Sequence, residues 1–323
     1  MKAQVLLPKV FNYPFTYNSN NLNIKTGDLV EVPFGNKKEL GVVWKNSYTE
    51  PDNIKIKNIS SKTIYSIDKK LVEFIEWFST YNMVPIGLAL KMVISGVDKF
   101  TKKKDEPINQ KKSKTKKYVL NNEQTLALKF LQSQSNKFSV SVLEGTTGSG
   151  KTLVYFENIK NIIAKEKQAL VLLPEIFLTN DFKTRFMDFF GFEPAIWHSK
   201  ITPKQKRLIW KGVIKNKIKI VIGARSSLFL PYKKLGLIVV DEEHDTSYKQ
   251  DEGIIYQARD MAVSRANFEN IPIHLVTSVP SIETYNNIKN KKYRHIKIFK
   301  RFENYPLPKT KIVNLNLNKA KNK

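Results

Sequence analysis

Eight residues, Gly145-Thr146-Thr147-Gly148-Ser149-Gly150-Lys151-Thr152, constrain this chain more than any other stretch. They fit the spacing G-x-x-x-x-G-K-[ST], and their flanks fit as well. A β-prone run over 138–143 precedes them and a helical pattern over 151–165 follows. Glycines let backbone N–H groups close on phosphate oxygens, and the N-terminus of the next helix adds the positive end of its dipole. Lys151 is then placed to reach the β- and γ-phosphates, and Thr152 to put its hydroxyl on Mg²⁺. A strand–turn–helix of this kind belongs in a parallel sheet covered by helices.

The pattern around it agrees. After a helix over 122–133, the chain reads as strand 139–143, helix 151–165, strand 168–173, helix 175–190, strand 194–197, helix 203–216, strand 218–222, strand 236–240, helix 256–268 and strand 272–276. Apolar runs alternating with helical periods predict a P-loop (RecA-like) parallel α/β lobe. A second chemical signal closes one of those runs: Leu237-Ile238-Val239-Val240 leads into Asp241-Glu242-Glu243-His244. Four apolar residues suit a strand buried on both faces, and its C-terminal end is where open α/β sheets bind ligands. Asp241 is expected to hold Mg²⁺ through water, and Glu242 to orient and deprotonate an attacking water.

Before this lobe the sequence has a different character. Short β-prone runs at 5–7, 15–17, 28–32 and 40–44, separated by Asn-, Ser- and Gly-rich turns, predict a small barrel or sandwich. Residues 68–95 read as helical, with Leu71, Val72, Ile75 and Phe78 on one face and Asp68 as N-cap. The stretch 98–117 holds nine Lys and three acids with no period and reads as a solvated linker. The expected organisation is a β-rich N-terminal domain over 1–97, a lysine-rich linker over 98–117, the ATP-binding lobe over 118–302 and an extended Lys/Asn-rich tail over 303–323.

Composition narrows the partners. Across 323 residues, 55 Lys+Arg against 29 Asp+Glu give a net charge of +26. That excess points to a polyanion, nucleic acid ahead of an anionic membrane surface, or else to a proteome-wide lysine bias. With no Cys there is no disulfide framework and no Cys-based zinc site, and the four His lie far apart. The apolar runs fall far short of the roughly 20 residues that span a bilayer, and the N-terminus has no signal-peptide pattern, so a cytoplasmic protein is expected.

An ordered set of motifs goes further: GTTGSGKT (145–152), LLPEIFLT (172–179), WHS (197–199), IGARSSLFLP (222–231), VVDEEHDTSYKQDE (239–252) and YQARDMAVSRA (256–266), with VPFG (32–35) and YNMVPIG (81–87) near the N-terminus. Together they resemble the primosomal replication-restart helicases of superfamily 2. The resemblance implies an ATP-dependent DNA helicase, assembling a primosome at stalled forks, that uses ATP and Mg²⁺. It implies forked and single-stranded DNA, other primosome proteins and single-strand-binding protein as partners, and no membrane. It casts Gln124 as the adenine reader and the loop 145–152 as the ATP cradle, with His244 and Ser278 coupling that site to DNA. It places Glu175, Thr179, Ser199, Arg225 and Ser226 on the DNA-facing surface, although an ion pair is an alternative role for Arg225. The loop after His244 resembles an aromatic-rich coupling loop, in which Tyr248 and Tyr256 would stack on bases while Lys249 and Arg259 meet phosphates; core packing is the alternative for Tyr256. Thr16, Tyr17 and the turn containing Lys37 correspond to the family's 3′-end pocket, with a core role for Tyr17 as the alternative.

Three departures from the family pattern stand out. No winged-helix segment separates the N-terminal domain from the lobe, Val279 stands where relatives carry a hydroxyl, and the chain reaches Lys323 without a second motor lobe. Zinc-binding cysteines are therefore expected only in the part not present. A lobe without its partner lacks an arginine finger, worth 10³–10⁵ in turnover, so this chain alone is not expected to unwind DNA. The alternative reading is a DNA-binding module with a catalytically inert nucleotide-binding lobe; a P-loop ATPase that never meets nucleic acid is a third.

Overall fold

In the computed structural model the described residues are 2–19, 21–44, 56–95, 113–133, 136–177, 179–301, 311 and 313. The tail and most of the lysine-rich linker lie outside them, as do the expectations made for those segments.

The chain begins with five strands: β1 (Lys2–Leu6), β2 (Phe15–Asn18), β3 (Asp28–Phe34), β4 (Lys37–Val43) and β5 (Ser61–Ser66). They form one antiparallel sheet in the order β2-β1-β4-β3-β5, in place of the expected barrel or sandwich. Side-chain alternation sends Val5 and Leu7 to one face and Leu6 to the other. Both faces are covered, so all three are fully buried. β5 was not legible as a strand, because Ser61, Lys62 and Ile64 face solvent at this edge and leave no clear apolar alternation.

The helical stretch over 68–95 is two helices, α1 (Lys69–Tyr81) and α2 (Ile86–Val93). Asp68 caps α1 as expected, accepting from the Lys70 amide. The break falls where Met83 takes a left-handed φ of 52° and Pro85 opens the second helix.

The lobe then runs α3 (Asn122–Gln132), β6 (Ser139–Gly145), α4 (Lys151–Ala164), β7 (Gln168–Leu172), α5 (Asn180–Phe190), β8 (Ala195–Trp197), α6 (Pro203–Ile214), β9 (Ile220–Gly223), β10 (Leu235–Asp241), β11 (Lys249–Gln250), β12 (Tyr256–Gln257), α7 (Ala258–Glu269), β13 (Pro272–Thr277), α8 (Ile282–Lys289) and β14 (Arg294–Ile298). Seven strands make a parallel sheet in the order β14-β6-β13-β10-β7-β9-β8. Two predicted helices start late. Residues 175–177 form a separate 3₁₀ turn before α5, whose cap is Thr179, and Tyr256-Gln257 pair with β11 before α7 begins.

One hydrophobic core runs from the N-terminal sheet through α1 and α2 into the lobe. Phe78 meets Phe229 edge-on at 5.0 Å and Tyr256 at 5.5 Å. Trp210 donates its indole N–H to the Val93 carbonyl at 2.8 Å, and Lys70 Nζ donates to the Glu269 carbonyl at 2.9 Å. The N-terminal sheet is thereby held against the lobe by packed helices.

Candidate nucleotide and DNA site

The glycine loop joins β6 to α4, and its backbone explains its composition. Gly148 and Gly150 have φ of 84° and 83°, a region that favours glycine. A Cβ on Gly145 would lie 2.6 Å from Ser149 Oγ. Lys151 opens α4 and folds back, its ammonium donating to the Gly145 carbonyl at 2.6 Å. Burial pushes that ammonium below the ordinary lysine range, while Glu242 and Asp241 pull it the other way.

Asp241 arrives from β10, one strand removed from β6, at the same C-terminal edge. Burial raises its carboxyl to about 6, opposed by the hydrogen bond from Tyr155. The Tyr155 hydroxyl, about one turn along α4 from Thr152, donates to Asp241 Oδ2 at 2.8 Å. One phenol therefore ties α4, whose first turn carries Thr152, to Asp241 at the end of β10. The hydroxyls of Thr146 and Ser149 are buried without partners in the same loop. A hydroxyl, a carboxylate, a desolvated lysine and two unpartnered donors fit a metal–triphosphate group. Sequence reasoning missed Tyr155, which reads as an ordinary apolar position on a helix.

Gln124 sits beside this loop and is 1% exposed. Its amide completes a capping box with Asn121 and donates Nε2 to the Ser149 carbonyl at 3.0 Å, so it braces the loop in this structure.

Past Asp241 the chain turns sharply, with Glu242 at a left-handed φ of 48°. His244 Nδ1 lies 2.8 Å from Thr277 Oγ1 and 3.7 Å from Glu242. The Thr277 hydroxyl donates to the Val279 carbonyl at 2.7 Å, which assigns the proton to His244 Nδ1. The partner of His244 is thus Thr277, the residue before Ser278. Glu243, also missed, is 1% exposed and accepts from the Ser281 amide (2.8 Å), the Ser281 and Thr284 hydroxyls (3.1 and 2.9 Å) and Arg259 (3.3 Å).

Three expected DNA contacts are corrected. Tyr248 is 1% exposed and donates its hydroxyl to the Asp241 carbonyl at 2.6 Å, leaving no face for a base. Tyr256 packs between Phe78 and Phe229. Arg259 is buried, held by Glu243, Asp260 and Ser281. Aromatic spacing in a loop carries no burial signal, so only tertiary packing separates stacking platforms from core. Arg225 is half-buried and donates to the Ser247 and Lys249 carbonyls at 3.1 and 2.6 Å; Ser226 Oγ accepts from Trp197. Thr179 Oγ1 caps α5. Glu175, Ser199 and Lys249 remain exposed; Ser199 Oγ stands 3.4 Å from Glu175, and Lys249 pairs with Asp251.

In the N-terminal sheet Tyr17 is a core residue, 4% exposed, donating to the Pro33 carbonyl at 3.2 Å, which corrects its DNA role. Thr16 is half-buried on the opposite face and Lys37 is exposed. The Phe15 and Phe34 rings, 5.3 Å apart, bring the start of β2 and the β3–β4 turn to one end of the sheet.

A parallel P-loop lobe whose acidic strand end shares one rim with the glycine loop defines the class. Residues 121–287, more than half of the chain, match the DEAD/DEAH box helicase family model, and the chain belongs to that family. Residues 4–95 match the 3′DNA-binding domain model. The chain is 42% identical to the replication restart protein PriA of Rickettsia conorii over 97% of its own length and 48% of that protein's. It is 35% identical to PriA of Helicobacter pylori over 92% of its length and 47% of that protein's. The likeness to replication-restart helicases, read from ordered motifs, is borne out across the chain, which spans about half the length of these curated relatives.

Proposed function

We propose that this chain is the DNA-binding and ATP-binding portion of an ATP-dependent DNA helicase that restarts replication in the cytoplasm, assembling a primosome at stalled forks. Forked and single-stranded DNA would be its substrates, and other primosome proteins and single-strand-binding protein its partners. The observation that carries the reading is the buried hydrogen bond from Tyr155 of the P-loop helix to Asp241 at the acidic strand end, which supports one pocket between them.

Within that pocket Thr152 and Asp241 would hold Mg²⁺, which when bound screens the charge of the transferred phosphate. Lys151 would leave the Gly145 carbonyl for the phosphates. Glu242 would accept the proton of the attacking water. Gln124, joined to the Ser149 carbonyl, would sense the loop and reach the base. His244, through Thr277, and Glu243, through Ser281, would pass the state of that strand end to the segment leading into α8. Glu175, Thr179, Ser199, Arg225, Ser226 and Lys249 would form the DNA-facing side, and Thr16 with Lys37 would hold a strand's 3′ end.

The test is binding of forked DNA across a salt series, with MgATP titrated in parallel. Six neutralised phosphates predict a log–log salt slope of about −5. MgATP should bind the wild-type chain and not Lys151→Ala. A flat salt response, or equal ATP binding by the two proteins, contradicts the reading. Val279, apolar and 67% exposed where relatives carry a hydroxyl, favours a second reading, the DNA-binding module with an inert lobe. That reading predicts ATP binding without DNA-stimulated hydrolysis when the remaining lobe is supplied in trans.

A further inference from the structure

Arg301 lies three residues beyond β14, outside every motif that marked the nucleotide site. The register of β14 ends with Ile298 opposite Gly145, so the chain leaves the sheet beside the first residue of the glycine loop. The Phe299 and Lys300 amides both donate to Glu123 Oε2, at 2.9 and 3.0 Å, which turns the backbone across the loop. Arg301 Nε then donates to the Thr147 carbonyl at 3.0 Å. Its guanidinium covers Gly148 so closely that a Cβ there would lie 3.4 Å from Nε and Nη2. Glu123 is next to Gln124, which holds Ser149 from the other side. The first turn of α3 and residues 299–301 thus grip the loop between them.

Electrostatics gives this contact a purpose. A nucleotide triphosphate carries more negative charge than one lysine neutralises. Lys151 is also desolvated and shares its field with Asp241 and Glu242. A guanidinium keeps its charge in such a place and presents a planar fork of donors suited to phosphate oxygens.

We propose that Arg301 is a nucleotide-binding residue that reaches over the glycine loop to the phosphates of bound ATP. The inference rests on the loop being an ATP site. A mere brace for the Thr147 carbonyl would need a donor but not a charge, and that difference is measurable.

The experiment is MgATP affinity, by calorimetry, for the wild-type chain, Lys151→Ala, Arg301→Ala, Arg301→Gln and Arg301→Lys. Loss of a charged phosphate contact predicts about tenfold weaker binding in both Arg301→Ala and Arg301→Gln, with most of it restored in Arg301→Lys. Wild-type affinity in Arg301→Gln would make the residue a brace and overturn the proposal, as would unchanged affinity in Arg301→Ala. A wild-type chain that binds no MgATP, or that binds no better than Lys151→Ala, overturns the pocket itself and the role of Arg301 with it.

Discussion

Asp241 and His274 lie on neighbouring strands of the sheet and respond to pH in opposite directions. Burial raises the Asp241 carboxyl to about 6 and lowers the His274 imidazole to about 4. Below pH 6 the folded state takes up a proton at Asp241 before the unfolded chain does, so this residue makes the fold more stable as pH falls towards 4. His274 does the reverse: below about 6.5 the unfolded chain protonates first, and stability is lost until pH 4. Each effect is about 3 kcal/mol, at about 1.4 kcal/mol per pH unit. They offset one another in the wild type. Asp241→Asn keeps hydrogen-bonding groups opposite Tyr155 and removes one side of the balance. Urea unfolding should then show a loss of about 3 kcal/mol between pH 6.5 and 4 in the variant, and a much smaller one in the wild type; parallel curves would contradict the assignment. The placement of Lys151, Thr152 and Asp241 at one edge of the sheet was legible because glycine spacing and an acidic strand end are local patterns. The pairing of His244 with Thr277 was not, since it depends on which hydroxyl the end of β13 turns toward β10.

At the scale of elements, the segment from His244 to α7 is a strap rather than an open loop. Tyr248 fastens one end to β10, Tyr256 fastens the other to Phe78 of α1, and Arg225 clips the middle through two carbonyls. Truncating Tyr256 to Ala empties a site between two aromatic rings, Phe78 and Phe229, and should cost about 3–5 kcal/mol by chemical denaturation. Arg225→Ala should act differently. Its cost should be about 1 kcal/mol, with faster amide exchange confined to residues 246–252, because only two hydrogen bonds to that stretch are lost. Equal speeding of exchange across the lobe would contradict the clip. Helix boundaries followed the same division between local and tertiary signals. Asp68 announces α1 in the sequence, and Pro85 marks the start of α2 once Met83 is known to be left-handed. Nothing local shows that Tyr256-Gln257 pair with β11 before α7 begins.

For the whole molecule, the shared core means that the N-terminal sheet and the lobe should unfold together. Amide protection in β1–β5 and in β6–β14 is expected to vanish at the same denaturant concentration; two separated transitions would show that α1 and α2 do not bind the parts into one unit. Phe78 packed on Tyr256, the pairing of β12 with β11, and the Tyr248 hydrogen bond to the Asp241 carbonyl connect α1 to the end of β10. Whether Asp241 and the glycine loop share one pocket is decided by a double-mutant cycle on MgATP affinity with Thr152→Ala, Asp241→Asn and the two combined. A common pocket predicts strong non-additivity, with a coupling of about 1 kcal/mol or more, whereas losses that add within about 0.5 kcal/mol would mean that the two residues act apart.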